Sequence, residues 1–379
     1  MMCHTSNVLL LPIVCLVVTA SFANAAPNAT HSGYFSKIYA FGDSFTDTGN
    51  TNSKSGPQFF RQVSNPPYGT TYFHHPTSRY SDGRLVVDFL ANALSLPFLP
   101  PYLNRSADFS HGVNFAVAGS TAIDHDFFVK NNVTLNITPQ SLGTQLIWFD
   151  KFLQGNGCRE AKSPECIMAM KDALFWVGEI GVNDYAYTIA STVPSSTVQD
   201  LAVRKVITSL QALLQKGAKY IVVQGLPLAG CLPLTLFLTP ANDRDSLGCS
   251  ASGNQVIEAH NSVLQSKIQE LRKQYPQAFI SYADYASAHR TVMMDPASFG
   301  LKETLTTCCG SGGPPYNFQP YATCGSPSAS VCKDPAKYVN WDGVHLTEAM
   351  YGAVSDLLLR RGYCRPSFDQ LLQSKGRRF

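Results

Sequence analysis

The chain has 379 residues, 45% of them hydrophobic and only 15% charged, with a formal net charge of +3. That length suffices for one large α/β domain. The basic block Arg377-Arg378 at the extreme end is far short of the dense positive patch that nucleic-acid binding needs.

Val8 to Ala20 is an apolar run, and Ala23-Asn24-Ala25 is a small-residue cleavage site, so residues 1–25 are expected to be a secretory signal. Only His4 stands where a basic n-region belongs. The run is too short to span a membrane, and no second long apolar run follows. The expectation is a soluble protein, secreted to the extracellular space or diverted to a vacuole. A single domain over 26–379 is expected.

Lys37 to Phe41 is short, apolar and aromatic, the pattern of a buried strand. Gly42, Asp43 and Ser44 end it at once. Asp and Ser suit a turn or a helix cap, while a serine at the carboxyl end of a strand in an open α/β sheet lies where such sheets bind ligands. Both roles remain open on this stretch alone. Thr46 to Asp82 shows no periodicity, but its aromatics (Phe59, Phe60, Tyr68, Tyr72, Phe73, Tyr80) predict the wall of a pocket. Helical spacing follows over Gly83–Leu94, and Gly112–Ala122 is expected to be a strand entering a small-residue turn. Thr138–Leu153 is amphipathic; Ala173–Val177 is a second buried strand. Ser195–Lys216 and Ser252–Tyr275 are predicted helices, alternating with strands at Lys219–Gln224 and Ala278–Tyr282. Leu301–Asn340 is a Cys/Gly/Pro-rich loop, Thr347 to about Arg360 the last helix, and the tail after Cys364 polar and loose. The alternation implies a parallel sheet covered on both faces.

Beyond the signal lie nine cysteines: Cys158, Cys166, Cys231, Cys249, Cys308, Cys309, Cys324, Cys332 and Cys364. In a secreted chain these imply disulfides with one thiol left over, and the near pair Cys158 and Cys166 is a plausible bridge. No Cys/His cluster has zinc spacing, so no metal is expected. Sequons at Asn28, Asn104, Asn132 and Asn136 predict glycosylation.

The chemistry-bearing residues lie far apart in the chain. A serine hydroxyl becomes a nucleophile when a base takes its proton and a third group orients that base. Asp342-Gly343-Val344-His345 places a carboxylate three residues before an imidazole, with a glycine between them. The carboxylate can fold back onto the ring within one turn; it could equally cap the helix that follows. Acyl transfer also needs donors for an oxyanion. Gly119 and Asn183 each follow a strand, in turns that suit either that role or a purely structural one.

Four blocks together match a family: FGDSFTDTGN at Ser44, VNFAVAGST at Gly119, GEIGVNDY at Asn183 and VNWDGVHLTEAMY at Asp342 and His345. The chain resembles the plant GDSL esterases/lipases of the SGNH hydrolase superfamily, from about Lys37 to Arg365, with Phe45 where the name-giving Leu often stands. The resemblance implies a flavodoxin-like three-layer α/β/α sandwich with a mostly parallel sheet. It implies Ser44 as nucleophile, His345 as base and Asp342 as its orienter. The Ser44 and Gly119 N–H groups and the Asn183 amide would form the oxyanion hole. No cofactor is implied, and the expected partner is a small-molecule ester. Some members pass a hydroxycinnamoyl-type group to a hydroxy-acid acceptor, so acyl transfer is the alternative; in this chain Arg61, Arg79 and Arg84 could hold such an acceptor's carboxylate or be ordinary surface arginines. A non-catalytic binding glycoprotein is the third possibility.

Overall fold

The computed structural model describes residues 31–54, 57–135, 138–159 and 163–376. The expected signal, Asn28, Asn136, Arg377-Arg378 and the side chain of Phe59 lie outside the described residues. The strands are β1 (Lys37–Phe41), β2 (Gly112–Asn114), β3 (Ala173–Val177), β4 (Tyr220–Gln224), β5 (Phe279–Ala283), β6 (Glu303–Thr307), β7 (Cys309–Gly310), β8 (Ser330–Val331), β9 (Tyr338–Asn340) and β10 (Cys364–Arg365). The helices are α1 (Val86–Ala93), α2 (His125–Lys130), α3 (Leu142–Gly155), α4 (Pro164–Met170), α5 (Val182–Thr188), α6 (Ser195–Gln215), α7 (Pro233–Leu238), α8 (Ala251–Gln274), α9 (Tyr285–Met294), α10 (Glu348–Arg360) and α11 (Phe368–Lys375).

The central sheet has the order β10-β5-β4-β3-β1-β2. The strands from β5 to β2 are parallel, and β10 closes the edge antiparallel. Side chains alternate between the faces of a strand, and β1 shows why the sheet is covered twice. Ile38 and Ala40 join Leu174, Trp176 and Val222 in a core shared with α1, α9, α10 and α11. Tyr39 and Phe41 join Phe175, Ile221 and Val223 in a second core under α3, α6 and α8. The result is the expected three-layer α/β/α sandwich. From β1 the chain moves to β2 on one side, then crosses to β3 on the other. The carboxyl ends of β2, β1 and β3 therefore surround a topological switch point, where ligands bind in such sheets.

Element boundaries shift where side chains cap. Ser141 accepts the Thr144 N–H at 3.3 Å, so α3 starts at Leu142 rather than Thr138. Asp88 accepts the Leu85 N–H at 2.9 Å and starts α1 at Val86. The stretch after Ser44 forms a single turn rather than a helix, with the Thr46 and Asp47 N–H groups donating to the Asp43 carbonyl. β2 is shorter than expected, because the chain leaves strand geometry after Asn114.

Two expectations are corrected. The tail after Cys364 is not loose: Cys364 and Arg365 pair with Ala283 and Tyr282, and Phe368, Leu371 and Leu372 of α11 are buried. Leu301–Asn340 is not only loop, since β6 pairs with β9 and β7 with β8. Disulfides join Cys308 to Cys332 and Cys309 to Cys324 in that segment, and elsewhere Cys158 to Cys166 and Cys231 to Cys249. Among the described residues Cys364 is the free, buried thiol. No described helix is long and apolar enough to cross a membrane.

Candidate active site

Ser44 stands three residues beyond β1, on the turn held by Asp43. The Asp43 Oδ1 accepts the Phe45 N–H at 3.0 Å. The Gln145 amide clamps Gly42 from both sides, accepting its N–H at 3.0 Å and donating to its carbonyl at 2.7 Å. The turn that carries the hydroxyl is thus anchored on both sides of Ser44.

His345 Nε2 lies 2.8 Å from Ser44 Oγ, although 301 positions separate them. Its Nδ1 lies 2.9 and 2.8 Å from the two Asp342 oxygens. Asp342 Oδ1 also accepts the Val344 and His345 N–H groups at 3.1 and 2.8 Å. This local fold needs Gly343, whose φ is +95° and whose missing Cβ would sit 2.2 Å from the Phe318 ring. Asp342 does not cap α10; Thr347 does, accepting the Met350 N–H at 3.2 Å. Burial pushes the Asp342 carboxyl up, but the nearby imidazole and these hydrogen bonds outweigh it and hold the group below the ordinary value.

Two tyrosines from the irregular stretch complete this side of the site. Tyr68 donates its hydroxyl to Asp342 Oδ2 at 2.8 Å. The Tyr80 ring lies 4.4 Å, centroid to centroid, from that of His345. The sequence placed both in a pocket wall without indicating these contacts.

Gly119 lies beyond β2 with φ +77°, and a Cβ there would meet the Phe60 ring at 2.5 Å and Thr138 Oγ1 at 2.7 Å. Among the described residues, no acceptor takes the Gly119 or Ser44 N–H. Asn183 sits in the first turn of α5, and its Nδ2 donates to Asp43 Oδ2 and to the Ser120 carbonyl, both at 2.9 Å. Both amide hydrogens are engaged, so an oxyanion would have to share one with Ser120. Two buried carboxylates, outside the expected catalytic set, tie these loops together. Asp47 accepts the Ala118 N–H at 3.0 Å, and Asp184 accepts those of Ala122 and Ile123 at 2.9 Å each.

Two of the three arginines expected to hold an acceptor's carboxylate already pair with internal carboxylates. Arg79 forms a buried two-point pair with Asp88 at 2.8 and 2.9 Å. Arg84 pairs with Glu348 at 2.7 Å, and Arg61 donates to the Ser53 carbonyl at 2.6 Å. His260 and His289 are buried on α8 and α9, where desolvation pushes them down to about 4 and about 3. Asn104 and Asn132 are exposed. Among the described residues no group of His, Cys, Asp and Glu side chains is arranged to hold a metal ion.

The layered parallel sheet, with these blocks gathered at one end, is the fold of an SGNH-type hydrolase. The chain matches the GDSL-like lipase/acylhydrolase family over residues 38–358. It is 52% identical over 369 residues to a GDSL esterase/lipase of Arabidopsis thaliana, covering 96% of this chain and 95% of that one. It is 39% identical over 335 residues to acetylajmalan esterase 2 of Rauvolfia serpentina, covering 86% of this chain and 90% of the relative. The chain belongs to the GDSL esterase/lipase family and is a carboxylic ester hydrolase.

Proposed function

We propose that Ser44 is the nucleophile of this hydrolase, with His345 as its base and Asp342 as the orienter of His345. The observation that carries this is the unbroken path from Asp342 through His345 Nδ1 and Nε2 to Ser44 Oγ, each contact below 3 Å. Ser44 Oγ attacks the ester carbonyl while His345 takes its proton. The oxyanion lies against the Ser44 and Gly119 N–H groups and the Asn183 amide. Collapse of the intermediate expels the alcohol, which receives the proton from His345. Water then repeats the sequence on the acyl-enzyme and releases the acid. Asp342 keeps the imidazole in the required tautomer throughout.

The substrate class proposed is an ester of a small plant metabolite, lipid or sugar. An apolar cavity of about 530 Å³ supports an uncharged group on one side of the ester. It is lined by Val182, next to Asn183, and by Leu234, whose N–H donates to the Gly343 carbonyl at 2.9 Å. Hydrolysis is favoured over transfer to a hydroxy acid, since Arg79 and Arg84 already hold internal carboxylates. Secretion after Ala25 and glycans at Asn28, Asn104, Asn132 and Asn136 belong to the same proposal; N-terminal sequencing and mass analysis of protein from the native source test them.

The deciding experiment is a panel of p-nitrophenyl, acetyl-sugar and hydroxycinnamoyl esters, each with and without a hydroxy-acid acceptor, run on wild type and Ser44→Ala. Free acid as the product in both conditions, with kcat for Ser44→Ala down by about 10³ or more, is expected. Full turnover by Ser44→Ala would remove the nucleophile from the scheme.

A further inference from the structure

Glu179 follows β3 by two positions and has no exposed surface. Among the described residues neither Oε1 nor Oε2 has a hydrogen-bond partner when the group is taken as ionised. Its carboxyl faces that of Asp43. The other groups near it are Asp184, Tyr285 and the Val182 N–H, and none of these is a cation. Two ionised carboxylates do not persist side by side in a dry site; one takes a proton, and a protonated carboxyl becomes a donor.

The hydrogen bonds indicate which of the two is protonated. Asp43 accepts from the Phe45 N–H through Oδ1 and from Asn183 Nδ2 through Oδ2, at 3.0 and 2.9 Å. Both bonds favour an ionised Asp43. Glu179 has only the Val182 N–H where Asp43 has two donors, so the proton stays on Glu179. Burial pushes both carboxyls up, and the Asp43 charge raises Glu179 further.

We propose that Glu179 is a positioning residue for ester hydrolysis: it donates its O–H to Asp43, which in turn holds the Asn183 amide and the Ser44 turn. This rests on the roles proposed above for Ser44 and Asn183. The Asp43 contact occupies one Asn183 hydrogen and sets the plane of the amide, leaving the hydrogen shared with Ser120 as the one an oxyanion can use. If Glu179 cannot donate, Asp43 loses a partner and recruits the proton itself. The anchor on Asn183 then weakens, and the oxyanion donor is less well aimed.

The test compares wild type, Glu179→Gln, Glu179→Leu and Ser44→Ala on p-nitrophenyl acetate. Glutamine keeps a neutral donor, so Glu179→Gln should retain kcat within about threefold. Glu179→Leu should lose about tenfold to a hundredfold in kcat with KM within about twofold, short of the ~10²–10³ lost when an oxyanion donor is removed outright. Wild-type kcat in Glu179→Leu, or equal losses in both Glu179 variants, overturns the proposal. Infrared spectroscopy at neutral pH keeps the test decisive if Glu179→Leu does not fold. A protonated-carboxyl stretch in wild type that disappears in Glu179→Gln supports the proposal, and its absence from wild type overturns it. Full activity in Ser44→Ala would instead indict the acyl-enzyme scheme, so the two failures are distinguishable.

Discussion

The Asp342 carboxylate meets four donors: the Val344 and His345 N–H groups, His345 Nδ1 and the Tyr68 hydroxyl. A buried charge is tolerated only when so surrounded. Tyr68→Phe deletes one donor and should lower unfolding stability by about 1.5–3 kcal/mol, the range for hydrogen bonds to charged groups. Denaturant unfolding measures this, and an unchanged midpoint would show that the tyrosine is dispensable. Asp342→Asn preserves shape but offers an N–H where His345 Nδ1 needs an acceptor. Its kcat is expected to fall by about 10⁴, by analogy with the same exchange in a serine protease triad. A loss under tenfold would mean that His345 is oriented by other contacts.

The helix α11 and the strand β10 show how a segment of polar appearance becomes part of the core. Arg365 pairs with Tyr282 in the sheet, and the Arg272 side chain reaches the Arg365 carbonyl at 2.5 Å. Phe368, Leu371 and Leu372 close the face also covered by α9 and α10. Leu371→Ala should destabilise by about 2–5 kcal/mol, as buried leucines do; a thermal shift within error of wild type would mean that α11 docks only loosely. The stapled segment from β6 to β9 makes a separate prediction. The bridge between Cys309 and Cys324 closes a separation of 15 residues, worth about 3 kcal/mol in the chain-entropy description. Cys309→Ser/Cys324→Ser should lose stability of that order while Ser44 keeps its reactivity, which a fluorophosphonate label reports.

Taken over the entire structure, carboxylates buried beside the sheet end couple stability to pH. Burial raises the Asp184 carboxyl from its ordinary 3.8 to about 7, despite the backbone N–H groups of Ile123, Ala122 and Asp184 itself. A group with a raised folded-state pKa binds its proton more tightly when folded. Its stabilising contribution is complete below about pH 4 and is lost as pH rises towards 7. Asp184→Asn removes this term, so Tm should fall less between pH 4 and pH 7 in the variant than in wild type. Equal slopes would show that Asp184 does not titrate across that interval.

Much of this architecture was legible along the chain because it depends on near neighbours. The alternation at β1, the apolar run of β3 and the long periodic helices α6 and α8 follow from local pattern, and so does the three-layer class. The return of Asp342 onto His345 is likewise local, spanning three residues across one glycine. The partners that complete the site were not legible. Tyr68 reaches Asp342 across 274 positions, and Arg84 meets Glu348 across 264. Nothing near Arg79 or Arg84 in sequence distinguished an internal ion pair from a free cation, and nothing near residue 368 revealed a docking site. A turn or an amphipathic face is set by the backbone's own short-range geometry and so by sequence alone. Which carboxylate meets which hydroxyl, guanidinium or second carboxyl depends on the order of strands in the sheet and the faces their connections cover, and only the folded chain decides that.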